Sequence, residues 1–396
     1  MLTIFCQHYF MKGRNKMIYF NQATTSYPKP QEVIDEMVYM MKNLGGSAGR
    51  GSDERGRKTE NIVKQTREKL AKIFGASDSN KAVFTQNATA ALNQAIKGLP
   101  WKMGDHIITS TFEHNSVRRP IHYIKETYQV DVTYINPLKE EDLVAAFEAA
   151  ITENTKAIAV THACNVTGDV LPIKQIGKLA KKHNIYLIVD GSQSAGHLDI
   201  NMQKDGISML AFPAHKSLLG PQGIGILLVE GEVELNPLLH GGTGVFSEEI
   251  TQPTEWPYRF ESGTLNTPAV AGLYAALKLY EQQKEENVSR ETFLYEKMYN
   301  GLKNIEGVTI YKLLNQEVVV PTIAFNIKDV PSQEIATILD STFQISVRAG
   351  IHCNPLCHES YGTIEHGMVR ASINASNTEE EVQQFLFAIE QIASSY

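Results

Sequence analysis

A chain of 396 residues is long enough for two cores, and 42% apolar with 20% charged residues is the make-up of a globular protein, not a disordered or fibrous one. A formal net charge of -7 offers little to grip nucleic acid with, so the expected partner is a small molecule. No unbroken apolar stretch approaches the roughly 18 residues of a membrane span, and Gln7, His8, Lys12, Arg14 and Lys16 interrupt the apolar patches near the start, so no membrane partner and a cytoplasmic location are expected.

Residues 1–16 carry no period and are expected to be a dispensable extension. Met17 opens a strand-like Ile18-Tyr19-Phe20 in an N-terminal segment, 17–30. From about Lys81, short apolar runs alternate with helical patterns: Ala82–Thr85, His106–Thr109, Val132–Ile135, Ala157–Thr161, Ile185–Val189, Ser208–Phe212 and Ile224–Val229. That alternation predicts an α/β fold with a mostly parallel seven-stranded sheet covered by helices. The last two runs are separated by a Gly/Pro-rich turn and no helix, which predicts one antiparallel strand there. A long amphipathic helix is expected from Thr267, with Ala271, Leu273, Tyr274, Ala276, Leu277 and Tyr280 near one face, bridging two domains. Beyond it, Val308–Tyr311, Val318–Phe325 and Gln344–Val347 mix with helices in an α+β pattern. The expected division is a large domain over 31–285 and a smaller C-terminal one over 286–396.

Open α/β sheets bind ligands beyond the carboxyl ends of their strands, so the polar residues after each run carry the chemistry. Ile185–Val189 ends in Asp190-Gly191-Ser192-Gln193. Asp190 is open to three readings: a helix-capping acid, the ribose-binding acid of a dinucleotide fold, or the partner of a pyridine nitrogen. Gly220-Pro221-Gln222-Gly223-Ile224-Gly225 has the wrong spacing for a dinucleotide turn and leads into a strand, and no nucleotide phosphate loop is present. After the next strand comes Ala214-His215-Lys216. A lysine at one strand tip and an acid at the neighbouring one is the pair that pyridoxal phosphate (PLP) chemistry needs. The lysine amine condenses with the aldehyde, and the carboxylate keeps the pyridine nitrogen protonated. An anion site belongs at a helix N-terminus, and Phe84-Thr85-Gln86-Asn87-Ala88-Thr89 leads into one, though Asn87 reads equally as a plain helix cap. Alone, His114 reads as a structural imidazole and Asn165 as a turn residue.

Seven stretches in order carry a resemblance: Glu113-His114; Asn165-Val166-Thr167-Gly168; Val189-Asp190-Gly191-Ser192-Gln193; His215-Lys216 with the glycine-rich turn; Arg259 to Thr267; Arg348-Ala349-Gly350-Ile351-His352-Cys353; and Val369-Arg370-Ala371-Ser372. From Met17 to its end the chain resembles the cysteine desulfurase and selenocysteine lyase group of class V aminotransferases. The resemblance implies a PLP enzyme of fold type I with Lys216 binding the cofactor, Asp190 at the ring nitrogen and His114 stacked on the ring. It implies Asn165 and Gln193 at the phenolic oxygen, Ala88, Thr89 and His215 at the phosphate, and Gly263 and Thr264 reaching a neighbouring subunit's phosphate in a homodimer with shared sites. Three places depart from the family pattern. Asn21-Gln22-Ala23-Thr24-Thr25 replaces an Asp-Asn-Ala-Ala opening, Asn87-Ala88 replaces Gly-Thr, and Pro213 replaces a Ser or Thr. The two lost hydroxyls predict a weaker hold on phosphate, with Asn87, His215 and Gly241-Gly242-Thr243-Gly244 available to compensate.

Four cysteines, Cys6, Cys164, Cys353 and Cys357, are too few and too scattered for a disulfide framework. Cys353, with His352 beside it and Arg348 nearby, is in a cationic setting that favours thiolate, although a small buried hydrophobe and a strand-end salt bridge for Arg348 are the plainer readings. His352, Cys353, Cys357 and His358 also suggest zinc, but no second ligand pair closes such a site and no metal is expected. Arg370 resembles the substrate-carboxylate clamp, a task suited to a planar fork. The expected reaction is conversion of cysteine to alanine, with sulfur passed to Cys353 and on to a sulfur-acceptor protein. The rivals are selenocysteine lyase or another class V lyase or aminotransferase, and a non-catalytic dimeric scaffold that has lost PLP.

Overall fold

The computed structural model describes residues 17–46, 53–313 and 318–396, so the expected extension over 1–16, with Cys6, lies outside the described residues. The strands are β1 (Ile18–Tyr19), β2 (Ala82–Thr85), β3 (His106–Ser110), β4 (Asp131–Ile135), β5 (Thr155–Thr161), β6 (Tyr186–Asp190), β7 (Met209–Pro213), β8 (Gly225–Val229), β9 (Val308–Tyr311), β10 (Thr322–Ile327), β11 (Ile345–Ser346), β12 (Arg348–Gly350) and β13 (Met368–Ser372). Seven of them, in the order β2-β8-β7-β6-β5-β3-β4, form the main sheet. β8 runs antiparallel to both its neighbours while the β7-β6-β5-β3-β4 pairings are parallel, so the odd strand is the one that returns through the Gly/Pro-rich turn without a helix. β3, β7 and β8 are buried along their whole length, as strands with helices on both faces must be.

Chain direction decides where the site lies. From β3 the chain moves outward to β4, then returns to place β5 on the other side of β3 and continues through β6 and β7. The strand order therefore reverses between β3 and β5, and that crevice is where an open α/β sheet accepts a ligand. The loops after β3, β5 and β7 carry His114, Asn165 and Lys216 toward it, and Asp190 closes β6 at the same edge.

The helix Thr267–Lys303 runs unbroken, with Asn266 Oδ1 capping the amide of Ala269. Its first three turns are buried nearly all round, and Tyr274 and Tyr280 are half-buried, so the single apolar face expected from the sequence is corrected. Ala271, Gly272, Ala275 and Ala276 are small enough to let Gln31–Tyr39 and Glu54–Phe74 close over the side that Tyr274 leaves. Leu273 and Leu277 join the core of the main sheet, while Leu294, Met298 and Leu302 of the same helix join the core beneath the second sheet, β12-β13-β10-β9. Each fully buried leucine of this kind contributes roughly 1.5–3 kcal/mol. The strand expected over 318–325 begins only at Thr322, because Pro321 has no amide to give a ladder and its carbonyl instead accepts from Ile373.

In the second sheet Arg348 of β12 stands directly opposite Arg370 of β13. Two like charges facing each other across strands are unfavourable, so this register makes sense where an anion comes between them.

Candidate active site

A cleft of about 220 Å³ opens at the switch point and is lined by Thr89, His114, Asn165, Asp190, Gln193 and Lys216, with His215, Arg348 and Arg370 also on its walls. Ala88 lines it too, presenting a methyl group where a hydroxyl would sit in the usual phosphate turn. The N-cap of the Ala88–Lys97 helix is Asn87, whose side chain accepts from the amide of Ala90, which places Thr89 in the first turn at the positive end of the helix dipole.

Asp190 closes β6 and is 4% exposed, with Oδ1 accepting from the Ser192 amide at 2.9 Å. Lys216 follows β7. Burial, helped by Arg370 and Arg348 and opposed by Asp190 and Cys353, brings its ammonium down to about 8, so roughly a tenth of it is free amine at pH 7. His215 Nδ1 is buried with no hydrogen-bond partner, and burial with Lys216 nearby pulls the ring down to about 4. Burial also pulls His114 down to about 4. Beneath them Glu113 is fully buried and burial pushes its carboxyl up to about 8, so it keeps its proton at neutral pH while accepting from Ser110 Oγ at 2.5 Å and the Thr161 amide at 3.1 Å.

The amides of Asn165 and Gln193 each give one hydrogen to the protein, Asn165 Nδ2 to His352 O at 2.8 Å and Gln193 Nε2 to Ala23 O at 3.1 Å. An amide nitrogen carries two hydrogens, so each keeps one donor. Arg370 is 1% exposed and held by Asn165 O at 2.6 Å and Thr24 Oγ1 at 2.8 Å, while its Nε has no hydrogen-bond partner. Thr24 belongs to the stretch that departs from the family opening, and nothing in its local pattern marks it as a brace for the clamp. Gly263 and Thr264 are both exposed, do not line this cleft, and the Gly263 amide donates to Gly242 O at 2.9 Å.

Cys353 sits on a loop of four residues between β12 and the helix Pro355–Tyr361. Its thiol is exposed and lies 3.7 Å from Arg348 Nη2. His352 and Cys353 both have left-handed backbone, φ +50° and +59°, a conformation that costs a non-glycine residue of order 1 kcal/mol. The strain is held by the Asn115 amide donating to Cys353 O at 2.8 Å and by Asn354 Nδ2 donating to Phe112 O at 2.7 Å, which brace the loop against the His114 turn. The cationic neighbourhood expected from His352 is corrected. Its ring turns inward to Met368 O and burial keeps it neutral, which leaves Arg348 as the cation at the thiol. The four soft side chains that suggested zinc also diverge: Cys357 Sγ lies 3.8 Å from Cys164 Sγ and His358 Nδ1 meets Thr363 Oγ1 at 2.9 Å.

The fold and this constellation define a member of a known class: residues 18–385 match the aminotransferase class-V family model, and the chain belongs to that family. More particularly, it is 32% identical over 389 residues to a probable cysteine desulfurase of Methanothermobacter thermautotrophicus, covering 95% of this chain and 94% of that one. It is 30% identical to the cysteine desulfurase IscS of Clostridium botulinum, covering 96% of this chain and 94% of that one. The apo structure of the cysteine desulfurase from Thermococcus onnurineus superposes with a TM-score of 0.89 at 30% identity, covering 96% of this chain and 95% of that one.

Proposed function

We propose that this chain is a PLP-dependent cysteine desulfurase that converts L-cysteine to L-alanine and retains the sulfur on Cys353 as a persulfide. The observation that carries the reading is the meeting, around one cleft, of a lysine whose ammonium is held down at about 8, a buried carboxylate on the adjacent strand tip, and a guanidinium with an unpartnered Nε, with an exposed thiol 3.7 Å from Arg348 on the cleft wall. The full-length likeness to cysteine desulfurases supports it. The donor set fits the cofactor. Lys216 would hold its aldehyde carbon, Asp190 its ring nitrogen, His114 its face, Asn165 and Gln193 its phenolic oxygen, and Thr89, His215 and the amides around Ala88 its phosphate. When bound, PLP supplies an electron sink for the carbanion formed at the substrate α-carbon.

The chain's own residues do the rest. Arg370 binds the substrate carboxylate through its free edge, with the facing Arg348 adding positive charge. Lys216, as free amine, removes the α-proton and can return it to the product carbon. Asp190 would favour a proton on the ring nitrogen. The Cys353 thiolate attacks the substrate sulfur, so that a sulfur–sulfur bond forms as the carbon–sulfur bond breaks, and the departing carbon fragment takes up a proton to become alanine. Gly263 and Thr264, exposed away from their own cleft, suit contact with a second copy of the chain, and with the division into domains at 285–286 they complete the reading as a homodimer. A sulfur-acceptor protein would take the sulfur from Cys353.

The deciding experiment is incubation of the purified, yellow protein with cysteine and a reducing thiol. Equimolar alanine and sulfide without added keto acid are expected. Alanine that appears only with a keto acid would replace this reading with a transaminase, turnover of selenocysteine alone with a selenocysteine lyase, and a colourless protein that takes up no PLP with a scaffold. Asp190→Asn is expected to keep the fold and most of the cofactor while slowing alanine formation by about 10²-fold or more, since a neutral amide no longer favours the protonated ring. Near-normal turnover with bound cofactor would remove Asp190 from the mechanism.

A further inference from the structure

His114 caps the helix Asn115–Tyr128, Thr89 lies in the first turn of Ala88–Lys97, and the hydroxyl of Ser116 touches both. Ser116 Oγ is 2.7 Å from Thr89 Oγ1 and 2.9 Å from His114 Nδ1, and the Ser116 amide donates to the same Nδ1 at 3.0 Å. An Nδ1 that accepts from an amide carries no proton, so His114 is the neutral tautomer with its hydrogen on Nε2. Ser116 is 9% exposed and lines the cleft beside Asn87, Ala88 and Thr89, the turn that lacks the usual threonine hydroxyl.

We propose that Ser116 is a positioning residue that couples the phosphate contact at Thr89 to the imidazole of His114. The inference rests on the functional reading above, in which Thr89 holds the cofactor phosphate. A hydroxyl has one proton to give. With no anion present, Thr89 donates to Ser116 and Ser116 donates to Nδ1. Once Thr89 gives its proton to a phosphate, Ser116 turns its own toward Thr89, and Nδ1 keeps only the amide. Phosphate occupancy thereby reaches the ring of His114 through one hydroxyl. The charged groups around that ring are Asp190 from β6, Lys216 from the turn after β7, Arg348 from β12 and Arg370 from β13, and the test leaves all four in place.

The test compares wild type, Ser116→Ala and Ser116→Thr, each stripped of cofactor, by absorbance titration with PLP and by NMR titration of the His114 ring. Ser116→Ala should bind PLP about three- to tenfold more tightly, because the wild-type protein gives up the Ser116–Nδ1 hydrogen bond on taking up the phosphate and the variant has none to give up. Its His114 should titrate about half a unit higher, because a donor to Nδ1 that favours the neutral ring is gone. Ser116→Thr, which keeps the hydroxyl, should restore both. Wild-type affinity and titration in Ser116→Ala would overturn the coupling, as would weaker binding there or a Ser116→Thr variant equal to Ser116→Ala, which would trace the change to packing. A wild-type protein that takes up no PLP would instead overturn the functional reading. The His114 titration needs no cofactor: a shift in Ser116→Ala reversed by Ser116→Thr would still support the Ser116–His114 link, and its absence would sink it.

Discussion

Lys216→Ala is expected to abolish the borohydride-reducible bond between cofactor and chain and to cut alanine formation from cysteine by at least about 10²–10⁴-fold, the range for loss of a positioned proton-transfer group. Among the described residues lining the cleft Lys216 is the sole lysine, so no other lining amine stands ready to replace it. Its environment also sets a pH dependence. Burial and the two arginines hold the ammonium down at about 8, and the amine that condenses with an aldehyde is the deprotonated form. Covalent uptake of PLP by the stripped wild-type protein should therefore quicken as pH rises through about 8 and level off above it, and the variant should show no such rise. Borohydride reduction followed by mass spectrometry of the peptide containing residue 216 reads the bond directly. A reducible link at the same position in the variant is impossible, so one found on another lysine with turnover retained would move the assignment.

In Cys353→Ala, persulfide formation and most alanine release from cysteine are expected to stop while bound cofactor stays at the wild-type level. The thiol is exposed and lies beside Arg348, and it contributes no contact to the braces of its own loop, which run through the Cys353 carbonyl, Asn115 and Asn354. In the proposed mechanism the binding of cysteine by Arg370 and the removal of its α-proton by Lys216 do not involve Cys353, so exchange of the substrate α-hydrogen with solvent should persist. Cys357 is the internal control. It is fully buried against Cys164, on the inward side of Pro355–Tyr361, and burial raises its thiol well above the usual range, so it is a poor nucleophile where it stands. Cys357→Ala should lose some stability, on the order of 1 kcal/mol for a small buried side chain, but should still load sulfur on Cys353. Single-turnover alanine release with mass spectrometry of the loop peptide decides between them. Alanine release from Cys353→Ala at the wild-type rate, or added sulfur only on Cys357, would refute the nucleophile assignment.

The alternation of apolar runs with helical patterns, the missing helix before β8 and the motifs after each strand were legible because each depends on neighbours in the chain. Strand burial on both faces demands continuous apolar runs, and a return without a helix demands an antiparallel partner. The Lys216–Asp190 pairing was legible for a related reason, since parallel strands place consecutive loops at one end of the sheet. What the chain alone could not decide was every contact between residues far apart along it. The near-complete burial of the first three turns of the Thr267–Lys303 helix depends on Gln31–Tyr39 and Glu54–Phe74 closing over it. The inward turn of His352 depends on β13 offering the Met368 carbonyl, and the pairing of Arg348 with Arg370 depends on a strand register set by the whole second sheet. Thr24 against Arg370 and Ser116 between Thr89 and His114 are likewise tertiary facts: a hydroxyl's partner is chosen by which backbones the packed cores bring within about 3 Å, and composition and spacing do not encode that distance.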